Sequence, residues 1–353
     1  MANVINIENL TLNPQEVTDV RAFVKELVMD TPEFRDVMTI IDGVRMKQQL
    51  VFINKDGLAG KAATGTCERV DADELASLSQ KYFDPQDIEI YYELCTKTLN
   101  ENGLFKPLFD KVNTYREKYD IQGTDFAVMI ADIVKEAIVD SVWRLSFYGD
   151  EDVVASTSST AGLKDSDNIG YFSPVDGFWK QIFDSSDVKR VDISSIQSTA
   201  MPTAAQCYKA VNDVYRNAAA PLRQATNAVM MVSDQIFEGL VDYFQTESIA
   251  FTLDITTEGM KSVMWKGVKV INFGFCFDKY NAYFEEDSTS NDPYLQHRII
   301  MSVPGNLQVG TLDSEGIDSL DVFYDRGDRK LKIDAGYTIS PVILDEKMVS
   351  VAY

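Results

Sequence analysis

Histidine is almost absent: His297 is the only one in 353 residues. A serine or cysteine triad built on histidine would need that residue, and its context, Tyr294-Leu-Gln-His-Arg-Ile, holds no nucleophile motif. A histidine metal cluster is excluded by count, and His297 reads as structural or solvent-exposed. The four cysteines, Cys67, Cys95, Cys207 and Cys276, include no close pair, which fits a reducing cytoplasm and neither a zinc site nor a disulfide framework. No apolar run approaches membrane-spanning length, and Met1-Ala-Asn-Val-Ile-Asn-Ile-Glu lacks the basic and apolar regions of a signal peptide. Phosphate loops fail as well. Gly60-Lys61 is followed by Ala62 where a Ser or Thr is needed, with Lys55 where the first Gly belongs, and Gly305 and Gly310 are followed by Thr311 in place of Lys. No cofactor is expected.

Basic residues are scarce too. Acids outnumber bases 55 to 33, for a net charge of −22. Gripping nucleic acid needs lysine and arginine against phosphates, so tight DNA or RNA binding is not expected. The charge suits a container wall that packed nucleic acid must not stick to, and it equally suits ordinary solubility. Local acidic clusters read as loops. Asp165-Ser-Asp167-Asn168-Ile169-Gly170 resembles the opening of a calcium loop, but Ile169 breaks the ligand pattern and Asp176 stands where a bidentate Glu is preferred. Glu285-Glu286-Asp287 through Asp292-Pro293 reads as a solvated loop, and Arg326-Gly327-Asp328 as a hairpin turn between apolar runs.

What is present is an extended excursion followed by a long apolar helix. Leu50 to Ile53 form a strand-like run that ends in Asn54-Lys55-Asp56-Gly57, residues that tolerate tight-turn angles. Flexible residues follow, and the chain returns through Ile88, Ile90, Tyr92 and Leu94, which alternate with acids at a period of two. A two-stranded excursion is marginal alone in water, so it must lie on a surface, either of its own domain or of a neighbour. From Asp125 to Tyr148 the pattern predicts a helix capped by Thr124 and stopped by Gly149. Asp132, Glu136, Asp140 and Arg144 form one narrow polar stripe, with Asp140 and Arg144 spaced to pair. The remaining faces are apolar and must be covered. At about 1.5 Å per residue the helix spans roughly 36 Å.

Residues 1–13 read as an extended arm and Pro14–Met29 as a helix, with a short amphipathic piece around Phe105–Tyr119. The Ser/Thr-rich stretch from Ala155 to Asp167 is the best domain boundary. Beyond it come a capping box at Thr203-Ala-Ala-Gln206, a buried strand from Ala228 to Val232, and a Ser233-capped helix carrying Phe237, Leu240, Val241 and Phe244. Strands then dominate: Phe251–Ile255, Val268–Asn272, Arg298–Val303 and Asp321–Tyr324, with a tail of short strands broken by Gly336 and Pro341.

This order of elements resembles the major capsid protein of tailed double-stranded DNA bacteriophages, the Hong Kong 97-type fold shared with encapsulins. Val263-Met-Trp-Lys-Gly267-Val268-Lys-Val270-Ile271 is similar to that family's apolar-Gly-apolar strand entry, and the runs Ala228 to Phe244 and Asp176-Gly177-Phe178 resemble it as well. The resemblance implies an α+β fold in five parts. These are an N-terminal arm and helix (1–44), a projecting β-hairpin loop (45–90), a peripheral domain with the spine helix (91–155), a mixed α/β axial domain (156–317) and a strand-rich return (318–353). It implies a structural, non-enzymatic subunit of an icosahedral virion shell, built from pentamers and hexamers of itself and assembled in the host cytoplasm. Scaffold, portal and decoration proteins would be partners, and packaged DNA would be enclosed without tight specific binding. The loop tip, Lys55, Asp56, Gly57, Leu58, Gly60 and Lys61, is the candidate subunit contact. One member of the family welds subunits by a Lys–Asn bond, but no local motif here marks a matching pair. A fold-like pattern beginning by about residue 14 implies that an amino-terminal scaffolding segment is absent or already removed, with a separate scaffold protein as one alternative. Two alternatives are an encapsulin-like compartment, which would need a cargo-peptide groove and usually has a shorter chain, and a carboxylate-dependent enzyme.

Overall fold

The apolar stretch after Thr124 forms one unbroken helix, α1, from Asp125 to Tyr148. Val134, Ile138, Val142, Trp143, Leu145 and Phe147 in it are each at most 1% exposed. The helix stops where the sequence says it should. The Gly149 N–H still reaches the Leu145 carbonyl at 3.2 Å, and the Gly149 carbonyl accepts from Gly177 N at 2.8 Å. A Cβ on Gly149 would lie 2.2 Å from the Val175 carbonyl oxygen, so only glycine lets the returning chain cross here. The polar stripe differs from expectation. Asp140 pairs with Lys279 rather than Arg144, and its carbonyl accepts the Tyr280 hydroxyl at 2.7 Å. Arg144 instead donates to Ser141 Oγ at 2.9 Å and lies 5.7 Å from the Tyr171 and Phe172 ring centres. Groups from other parts of the chain outcompete the local i,i+4 partner.

In this computed structural model the described residues are 36–54, 77–94, 125–157, 162–197, 201–249, 251–255, 260–285, 296–312, 321–325, 327–328 and 330–353. The expected N-terminal arm, the helix at 14–29, the Thr124 cap and the piece at 105–119 lie outside them. In chain order the strands and helices around α1 are β1 (Thr39–Ile41), β2 (Gln48–Asn54), β3 (Ser77–Phe83), β4 (Gln86–Leu94), β5 (Gly162–Leu163), α2 (Ile169–Phe172) and α3 (Phe178–Asp184). There follow β6 (Lys189–Val191), α4 (Ser194–Gln197), α5 (Ala204–Asn217), α6 (Ala220–Gln224), β7 (Val229–Val232), α7 (Asp234–Thr246), β8 (Leu253–Ile255), β9 (Lys261–Trp265) and β10 (Val268–Asn272). The rest are α8 (Gly274–Asn281), β11 (Phe284–Glu285), β12 (Ile299–Ser302), β13 (Leu307–Gly310), β14 (Asp321–Asp325), β15 (Lys330–Ile343) and β16 (Ser350–Ala352).

A seven-stranded mixed sheet runs β6-β16-β12-β7-β10-β9-β8. Its central strands are buried on both faces, and their side chains alternate between two cores. Val229, Met231, Ile271, Ile300 and Val351 face α1, α3 and α8. Met230, Val232, Val270, Ile299 and Met301 face α5 and α7. That is why Val229–Val232 reads as a continuous apolar run. The Thr203–Gln206 capping box is formed as expected. Ser233 stands at the N-cap of α7, but its hydroxyl accepts from Arg298 N at 3.4 Å rather than from its own helix.

The second sheet runs β1-β13-β15-β14, with β4 also paired to β15. Expectation fails at the tail: β15 is a single 14-residue strand through Gly336 and Pro341. The Pro341 carbonyl points to the Gln181 side chain, which donates to it at 2.9 Å and accepts from Ile343 N at 3.0 Å. A residue's N–H and C=O share one strand edge, so the missing N–H of Pro341 faces Gln181, not a neighbouring strand, and no ladder bond is lost. Helix α8 was also not expected among strands. Its aromatic-rich sequence has weak helix propensity, and packing decides its form.

Replacing Gly149 with alanine is expected to destabilise the subunit by about 2 kcal/mol through forced backbone movement. Gly170, which has open space around its Cβ position, provides the control. Urea denaturation of the Gly149→Ala and Gly170→Ala variants checks this; equal midpoints would mean the crossing relaxes freely.

Candidate assembly surfaces

The outgoing strand β2 does not return through Ile88–Leu94 as its alternation suggested. It pairs antiparallel with Ser77–Phe83, from Gln48↔Phe83 to Asn54↔Ser77. Gln86–Leu94 instead pairs with β15 over nine residues, Gln86↔Ile339 to Leu94↔Leu331. The apolar alternation in β4 was read correctly as one half-buried face, with Ile88, Ile90 and Tyr92 against the main core, but its edge pairs with β15, not β2. The signal for the true return was present in Tyr82-Phe83-Asp84-Pro85, an aromatic pair closed by a turn dipeptide. The β2–β3 pair is a two-stranded sheet by itself. Seven residues per strand give its described part a length of about 24 Å. The tip candidates Lys55, Asp56, Gly57, Leu58, Gly60 and Lys61 lie outside the described residues.

The base of the ribbon is clamped. Phe83 is 1% exposed and packs with Val44 and Val342. A Cβ on Gly310 would stand 2.9 Å from the Phe83 ring. Asp84 N donates to Ser340 Oγ at 2.8 Å, and Lys47 pairs with Asp84 at 2.7 Å. Further along, Glu346 accepts from both Lys81 Nζ and Ser185 Oγ. Burial disfavours the Glu346 carboxylate, but the Lys81 and Ser185 bonds outweigh burial and hold its carboxyl below the usual range. The side of the ribbon away from Phe83 is different. Val51 is 58% and Tyr82 43% exposed, and Met46 at the ribbon's root is 77% exposed. Between them Gln49 Nε2 donates to Gln80 Oε1 at 2.6 Å. Apolar groups on a ribbon too thin to cover them are suited to contact with another surface.

The remaining sequence candidates that are described fall to structural roles, and the acidic run from Glu286 to Asp292 lies outside the described residues. His297 is fully buried, and its backbone N–H and C=O pair with Gln197 at 2.9 and 2.7 Å. Asp165 caps a 3-10 turn by accepting from Asp167 N at 3.0 Å. Asp325 Oδ1 accepts from Gly327 N at 2.8 Å in the β14–β15 turn. Among the described residues no three His, Cys, Asp or Glu side chains are grouped to hold a metal, and no helix is long and apolar enough to cross a membrane. Cys207 and Cys276 are buried free thiols, raised by burial, the former to about 11.

No family model and no curated protein sequence matches this chain. Solved structures do. The capsid of an empty GTA particle superposes with a TM-score of 0.53 at 10% identity, over 94% of this chain and 98% of that one. The capsid of Myoviridae phage XM1 gives 0.52 at 9% identity, over 100% and 99%. The capsid of cyanophage P-SCSP1u gives 0.51 at 9%, over 99% and 94%. The fold is the Hong Kong 97 type. It is an α+β fold, with helices packed on both faces of the seven-stranded sheet.

Because the Glu346 carboxyl is depressed, the Lys81 clamp contributes fully above the ordinary glutamate range, about pH 4, and weakens as pH falls through the lower folded value. Protection of the β3 amides against hydrogen exchange is therefore expected to fall in acid more than that of β12. A Glu346→Gln variant should show the reduced β3 protection already at neutral pH; unchanged β3 protection in that variant would refute the clamp.

Proposed function

We propose that this chain is a major capsid subunit that assembles with copies of itself into an icosahedral shell around phage double-stranded DNA. The observation that carries the reading is the whole-chain likeness of its fold to capsid chains. Two features of this molecule support it. The β2–β3 ribbon keeps apolar groups exposed above a clamped base, as a reaching arm requires. The charge of −22 suits a wall that DNA must not adhere to. On this reading the parts are 1–44, 45–90, 91–155, 156–317 and 318–353. The tip residues Lys55 to Lys61 contact a neighbouring subunit, assembly takes place in the host cytoplasm, and scaffold, portal and decoration proteins act on the shell. The chain works as a structural component without catalysing a reaction.

The test is particle formation. Purified protein is expected to give closed particles by negative-stain microscopy and a fast-sedimenting species. Deleting Asp56 to Thr66 should leave a folded, soluble subunit that assembles poorly, because the tip adds little to the monomer core while its contact repeats in every subunit. Normal particles from the deletion would make the tip a passive loop. A wild-type protein that stays monomeric would sink the shell reading. Particles that co-purify with one enzyme and no nucleic acid would favour the encapsulin-like compartment.

A further inference from the structure

The helices that cover one face of the seven-stranded sheet carry opposite charge. Helix α7 exposes Asp234, Glu238 and Asp242 at four-residue spacing, with Glu247 just beyond its end. Helix α5 exposes Lys209 and Arg216 seven residues apart, and α6, beyond an extended break at Ala218–Ala219, exposes Arg223. The two helices lie side by side. A Cβ on Gly239 would meet Cys207 Sγ at 2.4 Å, and the Tyr208 and Tyr243 rings stack at 4.2 Å. At 100° per residue, Asp234 and Glu238 stand about 180° and 140° round α7 from Tyr243. Asp234 and Glu238 therefore point away from α5, and Asp242 lies on the flank between, while Lys209 and Arg216 stand opposite the buried Cys207, Val211 and Val214 of α5.

Some of the described cations are neutralised within the chain and others are not. Lys47, Lys81, Lys180, Lys269, Lys279, Lys330 and Lys332 each hold a carboxylate within the chain. Lys209, Arg216 and Arg223 hold none among the described residues. Arg216 stands near Lys266, which lies 4.3 Å from the Trp265 ring and donates to Asn212 Oδ1 at 2.8 Å. Lys209, Arg216 and Arg223 are thus exposed cations left without a carboxylate partner among the described residues, with Asp213 between the first two. Of the acids, only Glu238 has a lysine partner, Lys261 at 3.5 Å across an exposed surface, a pair worth little. Beside the ridge lies the free edge of the sheet at β8, where Leu253 is 53% and Ile249 42% exposed.

We propose that the α7 ridge of one copy docks head to tail on the α5–α6 stripe of the next. This contact rests on the shell reading and names the surfaces through which its axial domains meet. Two copies at −22 each repel one another at long range, so association needs places where opposite charges face. One chain cannot bring Asp234 and Glu238 onto its own stripe, because both face away from α5; a second copy can. A contact between two different patches is heterologous and closes into rings, which a pentamer or hexamer requires. Leu253 and Ile249 supply apolar contact at its margin.

Charge reversal tests it. The double variants Lys209→Glu/Arg216→Glu and Glu238→Lys/Asp242→Lys are expected to fold like wild type by circular dichroism and to assemble at least about tenfold more slowly by light scattering. The fourfold variant, with both sets exchanged, should recover assembly. Wild-type assembly should slow as salt rises. If a double reversal unfolds the chain, Lys209→Gln/Arg216→Gln carries the same test with a smaller loss. Wild-type shells together with unimpaired reversal variants, or a folded fourfold variant that fails to recover, would overturn this contact and leave the shell reading standing. Wild-type protein that never associates would overturn both.

Discussion

The aromatic cluster around Phe147 is the interaction on which the rest of the structure depends. Its ring lies 5.0 Å from Phe273, 5.1 Å from Phe178 and 6.0 Å from both Trp143 and Phe277. These residues come from α1, the β10–α8 junction, α3 and α8, so one cluster fixes the spine helix, two shorter helices and the large sheet together. Edge-to-face pairs of this kind add about 0.5–1.5 kcal/mol each beyond burial. The cluster also needs the chain to cross tightly at Gly149 and Gly177, since a side chain at either would strike backbone. Arg298 caps the arrangement. It is 1% exposed and lies 4.5 Å from the Trp179 ring and 5.1 Å from that of Tyr148.

With the centre fixed, the outward-reaching parts can be thin. Among the described residues the ribbon's buried core is Phe83, Val44 and Val342, with Leu50 packed against them, and it is held at its base by polar links to Ser340 and Glu346. Long β15 joins the two regions, pairing with β14 and β4 at one end and with β13 at the other. The same strand thus backs the spine helix and seats the root of the ribbon. Load applied to the ribbon would pass into the main body through β15 and the segment that follows it.

The distribution of charge adds a second constraint. Among the described residues eight lysines hold a carboxylate, which limits self-repulsion in the folded subunit. The cations of α5 and α6 and the acids of α7 are kept apart instead. A protein that has to join many copies of itself benefits from leaving complementary groups unspent on its surface, since apolar contact alone gives little choice of partner.

Much of this was determined by the sequence alone. The span of α1 and its stop at Gly149, the Thr203 capping box, the buried Ala228–Val232 strand and the buried stripe of α7 follow from local periodicity and capping chemistry. So does the order of elements that resembles the capsid fold. The tertiary structure decided the rest. Alternation in Gln86–Leu94 announced a half-buried strand but could not choose between β2 and β15 as its partner, because pairing is a long-range choice. Gly336 and Pro341 looked like breaks, and Gln181, 160 residues away from Pro341, removed the penalty. Asp140 had a good local partner in Arg144 and took Lys279 instead. Aromatic residues from Phe273 to Tyr280 became helix because the ring cluster needed them on one side of α8. Local rules set what each segment can be; the competition among distant partners for the same surfaces set what it became.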